Sequence, residues 1–343
     1  MSTKRLLQLF ALALLVALVA GCVPAAPSGG GQTGAAPLVV AVYATPIEEP
    51  WDGVIHAALQ KAANEGKIKY EHTDNVGYAG DMERVLREIA EKKKPAAIFG
   101  DAFGNEEAVR RVAAQYPKIA FVFGSGLGPS TPNLSVFDNW IHEPAYLCGI
   151  IAGGMTKSNT IGVVGGYPVP EVNRLVNAFT AGAKEINPKV KVQVTFINSW
   201  FDPAAAKEAA LAHIDAGADV LYAERFSVIE AAKERKVWAF GNMADQNSLA
   251  PDRVLNSPVW NMTPTVEYVL AQIKAGSYTA LDLKDFSMMA KGGASMAPFH
   301  DLDKQIPAAT MELVKKRQDE IAKGLYRVDI AEAMPAGAVE KKK

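Results

Sequence analysis

The chain is poor in cysteine, in histidine and in net charge. Only Cys22 and Cys148 occur among its 343 residues, too few for a disulfide scaffold or a multi-cysteine metal site. The five histidines (His56, His72, His142, His213 and His300) are scattered without metal-ligand spacing. With 36 basic and 37 acidic residues the formal charge is −1, which leaves no basic footprint for nucleic acid. No second long apolar run follows the N-terminal one, so a polytopic membrane protein is excluded. G-x-S-x-G, H-E-x-x-H, P-loop and C-x-x-C patterns are absent. Gly124-Ser125-Gly126-Leu127-Gly128 departs from G-x-G-x-x-G, and the adjacent Glu48 and Glu49 are not placed to oppose each other across a substrate. Neither an enzyme nor a cofactor or metal is expected.

What is present begins with an address. Lys4 and Arg5 precede an uncharged run from Leu6 to Ala20, shorter than the ~20 residues a bilayer span needs. It ends Leu18-Val19-Ala20-Gly21-Cys22, which resembles a bacterial lipobox. Residues 1–21 are therefore predicted to be a lipoprotein signal peptide, with Cys22 the lipidated new N-terminus. Residues 22–37 (Cys22, then VPAAPSGGGQTGAAP) lack charge and large side chains after the cysteine. Such a segment cannot bury enough surface to fold, and its fifteen residues reach roughly 20 Å as a flexible tether.

The remaining length suits two domains. Apolar runs at 38–43, 96–99, 119–123, 134–137, 160–164, 190–197, 220–223 and 237–240 read as strands, with a short candidate at 67–72. Between them, 53–65, 81–93, 105–115, 144–155, 171–186, 203–216 and 228–235 carry helical periodicity. The alternation predicts parallel sheets wrapped by helices, in two doubly wound lobes rather than one sheet of about nine strands. The end of the chain, 335–343, closes on three lysines and reads as a solvated, frayed tail.

In doubly wound sheets ligands bind beyond the carboxyl ends of strands. The segments after the predicted strands hold Trp51 with Asp52, Asp101 with Phe103, Asn139 with Trp140, Tyr167 with Glu171, Trp200 with Asp202, Glu224 with Arg225, and Asn242 with Asp245. Aromatic faces beside carboxylates and amides suit a flat heteroaromatic ligand, and a carboxylate also suits the vicinal diol of a ribose. The alternative is that each aromatic plugs a core and each acid caps a helix. Asp202 before Pro203 is such a cap.

The run Val163-Val164-Gly165-Gly166-Tyr167-Pro168-Val169-Pro170-Glu171-Val172 resembles the basic membrane protein family, substrate-binding lipoproteins of ABC transporters that take purine nucleosides or bases. Glu185-Ile186-Asn187-Pro188, Trp200-Phe201-Asp202-Pro203 and Asp215-Ala216-Gly217-Ala218-Asp219-Val220 follow in the family's order, and the resemblance spans 38–325. It implies a type I periplasmic-binding-protein fold: two Rossmann-like lobes joined by three crossovers, with ligand in the cleft. Lobe 1 would comprise 38–138 with 257–279, and lobe 2 139–256 with 280–330, leaving 331–343 as tail. The ligand-binding residues it implies, together with the strand-end reading, are Trp51, Phe103, Asn139, Trp140, Trp200, Glu224, Asn242 and Asp245. Asp245 occupies the place of an acid that often meets ligand in the family. Glu224-Arg225-Phe226 departs from the small glycine-rich loop of many nucleoside binders and would fill space a ribose needs. The implied partners are a purine base or nucleoside, an ABC permease, and the membrane through the N-terminal lipid. The protein would be a monomer on the extracytoplasmic face, lipid-anchored, working by cleft closure. A ligand-sensing receptor component of the same fold and a sugar-binding protein are the alternatives.

Overall fold

The computed structural model describes residues 35–78 and 80–341. Cys22, the signal-like segment and nearly all of the tether lie outside the described residues.

Two parallel sheets form in succession. The first is built from β1 (Leu38–Val42), β2 (Lys69–Thr73), β3 (Ala97–Asp101), β4 (Ala120–Gly124) and β5 (Leu134–Phe137), in the order β2-β1-β3-β4-β5. Helices α1 (Pro50–Asn64), α2 (Asp81–Lys92) and α3 (Glu106–Gln115) connect them. The second contains β6 (Thr160–Gly165), β7 (Lys191–Phe196), β8 (Val220–Ala223), β9 (Trp238–Phe240) and β10 (Val254–Asn256). Its order is β10-β9-β8-β6-β7, so both sheets are wound alike, with the first strand of each in the interior and the second beside it. Helices α4 (His142–Met155), α5 (Pro170–Ile186), α6 (Pro203–Asp215) and α7 (Val228–Arg235) belong to this half.

The burial pattern explains the strand reading. β3, β4, β5 and β8 are buried at every position, as strands covered by helices on both faces must be. β2, mostly exposed, sits at a sheet edge. Helix α1 starts three residues earlier than its apolar periodicity suggests. The Glu49 carboxylate accepts from the Trp51 and Asp52 amides at 2.8 and 3.3 Å, and Pro50 supplies the first turn. Asp202 caps α6 by accepting from the Ala205 amide at 2.9 Å.

The chain passes between the halves three times. It leaves β5 for α4, which packs on α5. It returns from β10 through β11 (Pro258–Trp260) to α8 (Thr263–Ala275), which packs on α1. Leu281 to Leu283 then runs beside β5, exchanging backbone bonds with Val136. The chain continues through β12 (Ala294–Met296), antiparallel to β11, to α9 (Ala308–Ala322) on α4.

The C-terminal end is not frayed over its described length. β13 (Val339–Glu340) adds a sixth strand beside β7. The Lys341 amide donates to the Phe196 carbonyl at 2.7 Å, and Asn198 Nδ2 donates to the Lys341 carbonyl at 3.1 Å. Upstream, Asn173 and Asn177 on α5 hold the carbonyls of residues 331–333. The lysine run gave no sign of this because the edge of β7 supplies the missing hydrogen bonds.

Candidate ligand-binding cleft

A cavity of about 320 Å³ lies between the carboxyl ends of the two sheets, at the lower end of the ~300–1,000 Å³ typical of small-molecule sites. Every segment that lines it follows a strand or opens the helix after one. Thr45, Glu49, Trp51 and Asp52 come after β1, Asp101 ends β3 with Phe103 just beyond it, Ser125 to Leu127 come after β4, and Asp138 after β5. From the second half come Val169 to Glu171 after β6, Trp200 after β7 and Arg225 after β8, while Tyr78 completes the first wall. Parallel winding places these ends at one edge.

Aromatic rings close the cleft across the two halves. Phe103 meets Trp200 edge-on with centroids 5.1 Å apart and Tyr167 at 6.2 Å, while Tyr78 meets Phe103 at 5.9 Å. The Trp200 ring lies so near β6 that a Cβ on Gly166 would stand 2.7 Å from it. That close approach requires the glycine. Trp51 reaches the cavity from a packed position. One face stacks on Phe137 at 5.8 Å, and Trp260 lies 5.2 Å away.

The walls are rich in buried acids. Asp52 is 2% exposed, and its Oδ2 accepts from the Thr45 amide at 3.1 Å and hydroxyl at 2.6 Å. Burial raises its carboxyl well above the usual range, with Asp101 and Glu49 adding to the effect. Asp101 accepts from the Phe103 amide at 2.9 Å, yet burial lifts it to about 7. Burial lifts Glu171 to about 8, with Asp138 and Glu224 contributing. Glu49 and Asp138 are raised by burial too, although Arg225 and Arg174 respectively oppose it.

Arg225 forms an interior wall. Its Nε donates to Glu224 Oε2 at 2.9 Å, its Nη1 to the Trp200 carbonyl at 3.0 Å, and its Nη1 lies 3.5 Å from Glu49 Oε1. The last contact spans the cleft from the second half to the first. Glu224 is fastened in turn by the Gly166 amide at 2.9 Å. Behind this wall is a void of about 10 Å³, lined by Asn242, Gln246, Phe226 and the Glu49–Glu224–Arg225 group, with room for about one water.

The expected residues divide into three groups. Trp51, Phe103 and Trp200 line the main cavity. Glu224 and Asn242 stand behind it. Glu224 is bound to Arg225, and Asn242 Oδ1 accepts from the Tyr222 hydroxyl at 2.8 Å. Asn139, Trp140 and Asp245 are outside both voids. Asn139 is wholly buried in the crossover. Trp140 lies under the Arg174 guanidinium, 3.7 Å from ring centroid to Cζ. Asp245 Oδ2 sits 2.6 Å from His300 Nε2, so its partner is another side chain. Glu49, Asp52, Tyr78, Asp101, Asp138, Glu171 and Arg225 belong to the cavity although the expected set omitted them. Asp101 ends β3, and Asp138 and Arg225 lie within two residues of a strand end, which was the available signal for them.

A fold of two like-wound parallel sheets, three crossovers and a ligand-sized cleft at their carboxyl ends is that of the solved solute-binding proteins of ABC transporters. The profile of the Bmp family, the PnrA-like ABC transporter substrate-binding proteins, matches residues 37–283, and the chain belongs to that family. Two relatives carry different ligand names. A Haloferax volcanii protein, named provisionally as an ABC transporter glucose-binding protein, is 33% identical over 76% of this chain and 67% of its own. A purine-binding protein of Brucella abortus is 32% identical over 69% of this chain and 67% of its own. The solved ABC solute-binding protein of Conexibacter woesei shares the fold, with TM-score 0.69, 21% identity and coverage of 86% of this chain and 99% of that one.

Proposed function

We propose that the chain captures a free purine base outside the cytoplasm and delivers it to an ABC permease, held at the membrane by lipid on Cys22. Ligand binding shifts an open–closed equilibrium toward the closed form, because each half of the cleft supplies part of the site. The reading requires binding and release, with no covalent step.

The observation that carries it is the composition and size of the cavity. Aromatic rings from both halves flank buried carboxyls, the combination a flat heterocycle with donors and acceptors on its edges requires. Arg225 then sets the size. Its ion pair with Glu224 fills the cleft toward Asn242, leaving no second compartment for a sugar attached to the base. The Haloferax relative's name favours a hexose as the second reading, since carboxylates beside tryptophan also suit sugar hydroxyls and ring faces.

Calorimetry with adenine, guanine, adenosine, guanosine and glucose decides among these. Bases should bind about tenfold or more tightly than their nucleosides, equivalent to ~1.4 kcal/mol. The double variant R225A/E224A removes the closest ion pair of the wall as a unit and should narrow that gap, because it opens space toward Asn242. Glucose binding without purine binding overturns the purine reading. Nucleosides binding more tightly than bases overturns the size argument.

A further inference from the structure

At the ligand end of the cleft the two halves meet by charge at Glu49. The residue is 4% exposed, and both its carboxylate oxygens are engaged. Oε2 accepts from the Trp51 and Asp52 amides at 2.8 and 3.3 Å, which fixes the first turn of α1 and the two cavity residues it carries. Oε1 stands 3.5 Å from Arg225 Nη1 of the second half. The same nitrogen of Arg225 donates to the Trp200 carbonyl at 3.0 Å. One ion pair therefore ties the backbone that presents Trp51 to the backbone that presents Trp200, the tryptophans of the two walls.

The pair can part at low cost. Arg225 is bidentate to Glu224 of its own half, at 2.9 Å through Nε and 2.5 Å through Nη2. It keeps that counter-ion when the halves separate. Glu49 keeps its two amides and gains water. Parting the halves strands neither charge in a dry site, the condition that makes breaking a buried pair costly. A second ion pair between the halves, Arg174 with Asp138 at 2.8 Å, lies at the first crossover. Groups at a pivot move little on opening, so that pair does not distinguish open from closed.

We propose that Glu49 is the positioning residue of closure. It holds the Trp51–Asp52 turn and, once the halves meet, latches that turn to Arg225, so that the ligand is retained between the two tryptophans. This rests on the solute-binding reading and takes adenine as its probe under the purine reading. The latch forms after encounter, so it slows ligand release and leaves capture unchanged.

Glu49→Gln separates the two tasks. Its amide oxygen must face the Trp51 and Asp52 N–H groups, since an amide nitrogen does not accept. The Nε2 donors then face the Arg225 guanidinium, donor against donor. Calorimetry and stopped-flow tryptophan fluorescence with adenine should show E49Q about tenfold weaker, equal to ~1.4 kcal/mol, through a faster off-rate at an unchanged on-rate. A thermal melt close to that of the wild type shows that the cap and the fold persist. In the R225A/E224A background E49Q should cost nothing further, because the partner of the latch is gone. The latch acts in the unliganded chain as well, so small-angle scattering without ligand should give E49Q the larger radius of gyration at one pH. A loss that persists in the R225A/E224A background shows that Glu49 contacts ligand directly and overturns the latch, as does an unchanged off-rate. Failure of adenine to bind any of these proteins overturns the purine reading alone. Scattering then decides the latch, and equal radii overturn it.

Discussion

The side chains that shape the cleft differ in what their neighbours have left free. Asp245 illustrates the point. It follows β9 as a ligand-contacting acid would, but His300 occupies its Oδ2 and the Asn247 amide its Oδ1. Asp245→Ala should therefore change the affinity for adenine by less than about twofold, within the ±0.5 kcal/mol typical of substitutions away from such features. Calorimetry of the single variant checks it, and a tenfold loss would return Asp245 to the site. Trp140 shows the same effect among aromatics, since the Arg174 guanidinium has taken its ring face. The residue types at strand ends were legible in the linear order. Which of them is already satisfied by a neighbour more than 50 positions away, as Asp245 is by His300, was not.

Between elements, the tightest packing is of α4 against α5. A Cβ on Gly149 would fall 2.0 Å from the Phe179 carbonyl oxygen, and one on Gly182 would fall 2.0 Å from that of Tyr146. Two backbones this close admit no side chain, and backbone cannot yield as a flexible side chain would. Gly149→Val should destabilise the protein by about 3 kcal/mol or more, read as a lowered midpoint in urea unfolding with binding retained by the folded fraction. Helices α1 to α7 were legible from apolar periodicity. β10, β12, β13 and α9 were not, because each is short or weakly patterned. β13 exists only because the edge of β7 has open hydrogen-bonding groups for it to meet.

For the molecule as a whole, the proposed closure would concentrate carboxyls away from water, and rings of both halves already meet across the cavity. Asp101 at about 7 and Glu171 at about 8 hold protons in the closed form that the usual carboxyl pKa of about 4 would release in an open, hydrated cleft. The closed form thus binds more protons. Its advantage is present in full below about pH 4 and is lost as pH rises through 7 to 8. His142, whose buried ring is held down to about 4, acts in the other direction on global unfolding, because its stability contribution is lost as pH falls from 6.5 toward 4. Small-angle scattering of the ligand-free chain should show a larger radius of gyration at about pH 9 than at 6.5, where His142 is neutral in both states. A radius unchanged between those values would show that the cleft acids do not govern opening.

The amino-acid sequence by itself determined the alternation of strands and helices and the strand-end edge at which aromatic, carboxylate and amide side chains gather, and its motifs carried the resemblance to the family. The alternation and the edge follow from periodicity and local order, which are properties of neighbours along the chain. Only the tertiary structure decided which strand-end residues line the cavity, that Arg225 divides the cleft, and that Glu49 meets it from the other half. Those are questions of competition for partners. They depend on distances across the cleft between groups as far apart in the chain as Glu49 and Arg225, which no local pattern records.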